Sequence, residues 1–311
     1  MYQYIARRLL LTIPVIFGVA ILVFSIIRLI PGDPARAIAG VQASPEFIEQ
    51  VRARYRLDEP LPVQFGIFLG DLARGELGRS TFSRRPVATE IGERFPRTFL
   101  LATTALVIAT IVGVSAGIVS ATRRNSMFDN VSMLFALVGV AAPVFWMALM
   151  LQLLFAVNLR MLPATGIGTW RHLVLPSITL GMASAGLMAR ITRSSMLEVL
   201  RQDFITTARA KGLNERFVIY KHALKNALIP VVTVMGLQFG ILLGGAVLTE
   251  TVFAWPGIGR LLVDSILRRD YPVVQGTVML MAFLFVIINL VVDITYAFLD
   301  PRIHYQGEAG E

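Results

Sequence analysis

Six long stretches of apolar residues constrain this chain more than any other feature of its sequence. Each contains no more than one charged residue, and they cover residues 9–30, 98–121, 131–157, 173–191, 228–251 and 273–299. An α-helix of about 20 apolar residues is long enough to cross the hydrocarbon core of a bilayer. Only 16% of the residues are charged, against about 25% in soluble domains. The sequence therefore predicts an all-α membrane protein with six transmembrane helices.

The segment between the first two stretches, residues 31–96, has the composition of a region outside the membrane. It is rich in turns, and positions 33–97 hold ten arginines and nine acidic residues. Asp33-Pro34 and Ser44-Pro45 each predict the N-cap and first position of a short helix. We divide the chain into an N-terminal segment with the first transmembrane helix (1–30), an extracytoplasmic insertion (31–96), a transmembrane core (97–300) and a tail (301–311).

Basic residues in the short loops predict the orientation of the chain. Residues 190–226 contain eight basic residues against three acidic ones. Short cytoplasmic loops carry an excess of lysine and arginine. We therefore expect the loop 193–227 and both termini to lie in the cytoplasm and the insertion to face outward. The same rule explains the net charge of +9 without nucleic acid as a partner.

Several kinds of chemistry are excluded by what the sequence lacks or by where its motifs fall. The chain has no cysteine and no G-x-x-x-x-G-K-[ST] motif, so it has no thiolate metal site and no P-loop for ATP. Gly113 to Gly117 match G-x-S-x-G, but a nucleophile elbow requires a strand-turn-helix setting rather than an apolar helix. We expect no catalytic residue, no metal and no cofactor bound by this chain.

The cytoplasmic loop is the most informative segment. Leu197, Leu200, Phe204 and Ala208 share one helical face, and Gly212 is placed to end that helix in the left-handed conformation. Asn214 can start a second helix. The predicted corner consists of Thr206, Thr207, Ala208, Arg209, Ala210, Lys211, Gly212, Asn214 and Glu215. Its small side chains suit docking to another protein, whereas its basic residues suit an amphipathic turn on lipid headgroups, and periodicity alone favours neither interpretation.

The loop resembles the EAA loop of permeases from ABC importers, whose form is E-A-A-x-x-x-G. Thr206 and Thr207 replace the usual Glu and Ala, while Ala208 and Gly212 match. The forms T-A-R-A-K-G and H-A-L-x-N-A-x-x-P are similar to those of the peptide branch. Further matching segments lie at residues 31–34, 193–200, 230–233, 255–260 and 269–275. Nearly all of residues 1–303 resembles the first permease subunit of dipeptide, oligopeptide and glutathione importers of the peptide/nickel family.

This resemblance implies a membrane-translocation subunit rather than an enzyme. It implies a second homologous permease, two ATP-binding subunits that bind and hydrolyse ATP, and an extracytoplasmic substrate-binding protein, all at the cytoplasmic (inner) membrane. The corner of the loop would then be the coupling element for the ATPase. The implied substrates are di- or oligopeptides or glutathione, with nickel chelates more remote. The substrate path stays unassigned, because no helix shows a broad polar face in the sequence.

Two questions stay open at the level of sequence. A proton- or ion-coupled secondary carrier is the alternative function, and Asp293 is the intramembrane carboxylate that such a carrier would use. We favour a structural pairing for Asp293. Gly236, Gly240 and Gly244 recur at four-residue spacing, a pattern that lets helices approach closely. This row predicts helix packing, either within the chain or against a partner subunit.

Overall fold

The computed structural model describes residues 2–29, 33–40 and 43–299, and within these residues no strand is formed. The predicted end of the first helix at residues 30–32 and the tail 301–311 lie outside the described residues. The helices are α1 (Tyr2–Leu29), α2 (Pro34–Ala39), α3 (Pro45–Arg54), α4 (Leu61–Ala73), α5 (Val87–Thr122), α6 (Met127–Ala141), α7 (Val144–Leu151), α8 (Arg171–Val199), α9 (Asp203–Ala210), α10 (Glu215–Phe217), α11 (Leu224–Gly245), α12 (Val247–Val252), α13 (Ile258–Leu267) and α14 (Tyr271–Leu299). Two π-helices, Gln152–Asn158 and Val218–Ala223, follow α7 and α10.

Five helices in the described part of the chain are long and apolar enough to cross a membrane, and a bent pair brings the number to six. The all-α membrane fold is confirmed. The stretch 131–157, however, is not one continuous helix. Its two halves, Met127–Ala141 and Val144–Asn158, are bent by 108°. Pro143 causes the break, since it has no N–H and forces Ala142 into an extended conformation (φ −71°, ψ 131°).

Helix α8 lies at the centre of the molecule and contacts α5 along most of its length. A Cβ atom on Gly113 would lie 2.6 Å from Met188 Cβ, and one on Gly117 would lie 2.5 Å from Thr192 Cβ. On the opposite side, a Cβ atom on Gly186 would lie 2.3 Å from the carbonyl oxygen of Ala136 in α6. Only glycine permits such close approach of the helix backbones. These contacts hold α5, α8 and α6 together as the core of the bundle.

The insertion packs against the ends of the transmembrane helices that lie away from the loop 193–227. Asp33 and Ser44 cap α2 and α3 by accepting hydrogen bonds from the N–H groups of Ala35 (2.9 Å) and Phe47 (3.3 Å), so both predicted N-caps are confirmed. The Thr81 N–H donates to Asp270 Oδ1 (3.0 Å), which ties the insertion to the turn before α14. The insertion is therefore an integral part of the fold.

Candidate functional site

The loop between α8 and α11 folds around a small core of its own. Ile205 and Ala208 of α9 are 0% and 5% exposed, and they pack with Val218 and Ala223 of the second π-helix. The same core takes in Ala121 at the end of α5, Met196 and Val199 near the end of α8, and Ala227 in the first turn of α11. The loop is therefore packed against the ends of three transmembrane helices and does not lie free on the membrane surface.

The corner of the loop is a tight turn after α9. Gly212 has φ of +76°, and its N–H donates to the Arg209 carbonyl oxygen (2.9 Å). Asn214 then starts α10, because its side chain accepts a hydrogen bond from the Arg216 N–H (2.9 Å). No atom lies within 4 Å of a Cβ built on Gly212. A side chain at position 212 would therefore strain the backbone without clashing with a neighbouring residue.

An ion pair braces this corner. Arg209 Nη2 and Nε donate to the two carboxylate oxygens of Glu215 at 2.6 Å and 3.1 Å. This bidentate hydrogen bonding lowers the pKa of Glu215. Because both side chains are substantially exposed, the pair adds little to stability. Its effect is to fix the position of α10 relative to α9.

The structure separates the predicted corner residues into two groups. Thr206, Thr207, Arg209, Ala210, Lys211, Gly212, Asn214 and Glu215 are exposed. Ala208 is buried in the loop core, so the prediction that its side chain lines the exposed corner is wrong. The predicted face is also interrupted, because α8 ends at Val199 and Phe204 is 39% exposed on the separate helix α9.

The loop also displays four large, mostly apolar side chains, of which the sequence analysis singled out only Phe204. Phe204, Leu213, Phe217 and Tyr220 are between 38% and 60% exposed. Apolar side chains on the surface of a polar loop mark a contact with another protein or with a membrane. For Leu213, Phe217 and Tyr220 the signal was present in the sequence, as large residues outside the predicted helical face.

A buried ionic network lies directly beneath the loop. Asp129 in the first turn of α6 is 3% exposed. It accepts hydrogen bonds from Arg193 Nη2 (2.8 Å) and Nε (2.9 Å) of α8, and from the N–H of Asn125 (3.0 Å). The hydroxyl of Ser120 in α5 also donates to Asp129. The network joins α5, α6 and α8 at their ends nearest the loop.

The predicted glycine row faces α14 over part of its length. A Cβ atom on Gly236 would lie 2.2 Å from Val292 Cγ2, and one on Gly240 would lie 3.3 Å from Ile288 Cγ2. Nothing lies within 4 Å of a Cβ atom on Gly244. In the described structure, Gly236 and Gly240 thus serve packing of α11 on α14, and Gly244 points into open space.

Leucine substitutions in this row are expected to differ sharply in effect. Gly236→Leu should lower the amount of folded protein in the membrane, because its side chain would overlap Val292 and force α11 away from α14. Gly244→Leu is the matched control and should leave that amount close to wild type. Fluorescence-detected size exclusion of detergent extracts measures both variants. Equal yields would show that the contact at Gly236 is dispensable.

The two carboxylates within the apolar stretches both have partners. Asp293 Oδ2 lies 2.8 Å from Arg8 Nη1, which pairs α14 with α1. Glu250 of α12 is fully buried and accepts hydrogen bonds from the Thr98 hydroxyl (2.6 Å) and the Arg260 N–H (3.1 Å). Both carboxylates are therefore held by polar contacts between helices. This geometry agrees with the structural role that we favour for Asp293.

Comparison with known proteins identifies the family. Residues 109–305 match the family model of the binding-protein-dependent transport system inner membrane component, and residues 1–102 match the model for the N-terminal part of such membrane components. The chain belongs to this family. It is accordingly a multi-pass protein of the inner membrane, and the resemblance found in the sequence is confirmed.

Individual members of this transport family are similar to the chain over almost its entire length. The dipeptide transport system permease protein DppB of Alkalihalophilus pseudofirmus is 50% identical over 98% of this chain and 100% of its own length. The glutathione transport system permease protein GsiC of Escherichia coli O6:H1 is also 50% identical, with the same coverage.

Solved structures show the same fold. A structure of the MetNI methionine ABC transporter in an inward-facing conformation aligns with a TM-score of 0.57 and 17% identity, covering 68% of this chain and 96% of that chain. An amino acid ABC transporter aligns with a TM-score of 0.51 and 13% identity, covering 69% and 94%. The transmembrane part of this family member therefore has the fold of ABC-transporter permeases.

Proposed function

We propose that the chain is the transmembrane permease subunit of an ATP-driven importer for di- or oligopeptides or glutathione. The observation that carries this proposal is the 50% identity, over the full lengths of both relatives, to a dipeptide permease and a glutathione permease. Glutathione is a tripeptide, so the two relatives indicate one chemical class of substrate. The chain itself moves substrate, and ATP hydrolysis takes place on partner subunits.

The loop supports the ATP-driven mechanism. Its corner, residues 206–215, is exposed except for Ala208 and is braced by the Arg209–Glu215 pair. The four exposed apolar side chains named above adjoin that corner in the sequence and give it a surface for another protein. Because the loop core includes the ends of α5, α8 and α11, movement of a docked ATPase would be passed to these helices. A flexible amphipathic turn on the lipid surface would not need a hydrophobic core shared with transmembrane helices.

The remaining partners and the orientation follow from the same proposal. A second homologous permease would complete the translocation path, two ATP-binding subunits would dock on the cytoplasmic loops, and an extracytoplasmic binding protein would deliver the substrate. Both termini would be cytoplasmic, and residues 31–96 would face the binding protein.

Uptake into proteoliposomes tests this function directly. The chain is reconstituted with its second permease, its ATPase subunits and its binding protein, and uptake of radiolabelled dialanine and glutathione is measured. We expect uptake of at least one substrate with ATP, little uptake with a non-hydrolysable analogue, and no loss on adding a protonophore.

The alternative function, a secondary carrier, predicts the opposite dependence of uptake on ATP and on the proton gradient. A secondary carrier would transport without ATPase subunits and would stop when the proton gradient collapses. Uptake of a nickel chelate, with neither peptide transported, would retain the permease function but contradict the proposed substrate class.

A further inference from the structure

Helix α8 differs from the other transmembrane helices in the residues that it exposes. Its exposed residues are all polar, namely Arg171, Arg190, Ser194 and Glu198. In α5, by contrast, the surface in the middle of the span is apolar, as at Val107, Ile111 and Val112. The open surface of α8 is therefore unsuited to lipid chains.

Three of these polar residues form a single line. Arg190, Ser194 and Glu198 are four residues apart and so lie on the same face of the helix. Arg190 precedes the last residue of α8 by nine positions, which is about 14 Å along the axis. A charged group at this depth is costly against hydrocarbon, so such groups face water or protein. The line predicts a water-filled space beside α8.

The structure contains a groove at this position. Its volume is about 700 Å³, it opens beside the half of α8 nearest the loop, and Met133 of α6 is among its lining residues. Arg190, Ser194, Glu198, Arg201 and Gln202 line it. This volume lies within the range of about 300–1,000 Å³ that is usual for small-molecule sites. We call it the α8 groove.

The α8 groove is cationic. Among the described residues, neither Arg190 nor Arg201 has an ion-pair partner, and Glu198 is also without one. Arg193, the third arginine of the lining, is neutralised by Asp129. The groove therefore contains the two unpaired guanidinium groups of Arg190 and Arg201 and one carboxylate, that of Glu198. Guanidinium groups bind carboxylates through paired N–H donors, and the geometry favours them strongly where water is partly excluded.

We propose that the α8 groove is the cytoplasmic segment of the translocation path and that Arg190 and Arg201 bind the carboxylate of the passing peptide. This inference rests on the proposed function and deepens it by assigning residues to a path that the sequence left unassigned. Glu198 offers a site for the ammonium group of the same zwitterion. The groove begins next to the docking loop, since Arg201 and Gln202 connect α8 to α9. Movement of the loop would therefore open or narrow this segment of the path.

Labelling of a single thiol tests the groove. The chain has no cysteine, so Ser194→Cys provides the only thiol of this subunit. The variant is assembled with its partners in inside-out vesicles and treated with an anionic or a cationic methanethiosulfonate reagent. We expect Ser194→Cys to react, and the ratio of anionic to cationic rates to exceed that of Thr122→Cys, an exposed position outside the corner, by roughly five- to tenfold. A positive potential of about one kT per unit charge raises the local concentration of the anionic reagent and lowers that of the cationic reagent. The two effects multiply and give a ratio of this size.

Two further measurements connect the charge to the substrate. In the Ser194→Cys background, Arg190→Gln with Arg201→Gln should remove the preference for the anionic reagent, whereas Lys225→Gln, outside the groove, should retain it. Dialanine and S-methylglutathione at millimolar concentration should slow labelling severalfold. Dialanine amide, which lacks the carboxylate, should protect much less.

Several results would overturn the proposal. They are no labelling of Ser194→Cys, labelling without a charge preference, and no protection by either peptide. Labelling that is blocked in phosphatidylglycerol vesicles and restored in phosphatidylcholine would assign the groove to a lipid headgroup instead. These outcomes are separable from failure of the proposed function, because ATP-dependent uptake by the wild-type importer is measured independently of the thiol.

Discussion

Arginine in place of Ala210 is expected to reduce ATP-driven uptake by about tenfold where the ATPase is below saturation, since a loss of about 1.4 kcal/mol in docking free energy raises its dissociation constant tenfold. Ala210 is exposed at the end of α9, where a long charged side chain would hold a partner away from the corner. Gly212→Val should act on the same surface by a different route. At φ of +76° a valine is strained by about 1–2 kcal/mol and would displace the turn.

The loop variants require controls for folding and for added charge. Thr122→Arg adds arginine at an exposed position at the C-terminal end of α5, outside the corner, and should retain uptake. Ala208→Arg is unsuitable, because Ala208 is buried and its replacement would disrupt the loop core. Uptake and co-purification of the ATPase are measured together on each variant. Full uptake by both corner variants, with no ATPase bound to wild type, would exclude the proposed coupling role.

Removal of the Asp129 carboxylate is expected to destabilise the bundle by about 3 kcal/mol or more, because the Arg193 guanidinium loses its buried counter-charge. In Asp129→Ala, Arg193 would keep only the hydrogen bond from its Nε to the Ser120 hydroxyl (2.9 Å) at the junction of α5, α6 and α8. We expect a clearly lower melting temperature and less assembled importer. Thermal unfolding of the purified complex, followed by size exclusion, measures this effect.

An exposed ion pair of similar geometry provides the control for this prediction. Glu215→Ala breaks the Arg209–Glu215 pair, whose side chains are 44% and 55% exposed. The loss of stability should be no more than about 1 kcal/mol. Asp129→Leu combined with Arg193→Met should recover part of the stability lost in Asp129→Ala, since it leaves no charge unpaired. Equal melting temperatures for Asp129→Ala and Glu215→Ala would show that the buried Asp129–Arg193 pair adds no more stability than the exposed pair.

Local features of the fold were predictable from the sequence. The apolar stretches marked the spans, Asp33 and Ser44 marked helix starts, and Gly212 adopts the left-handed conformation expected of it. Each of these depends on residues close together in the chain. Pro143 was a visible signal for the break between α6 and α7, although proline alone does not distinguish a kink from a 108° bend.

Features that depend on packing between distant segments were not predictable. Asp129 and Arg193 are 64 positions apart in the chain, and nothing in either local sequence indicates the other. Ala208 could not be assigned to the inside of the loop, since the side of α9 that packs is decided by Val218 and Ala223 of the next helix. The α8 groove was hidden for the same reason. Only the packing of the other helices around α8 shows which of its residues stay open.

The close backbone contact between α5 and α8 has a mechanical consequence. Gly113 and Gly117 meet α8 at Met188 and Thr192, and Gly181 meets α5 nearer the other end. These contacts oppose sliding of the two helices past each other, and we expect the pair to move as one rod. The 29 residues of α8 make this rod about 43 Å long. If it pivots at its centre by about 10°, each end shifts by about 4 Å, in opposite directions. A pull on the loop would then be transmitted along this rod to its far end.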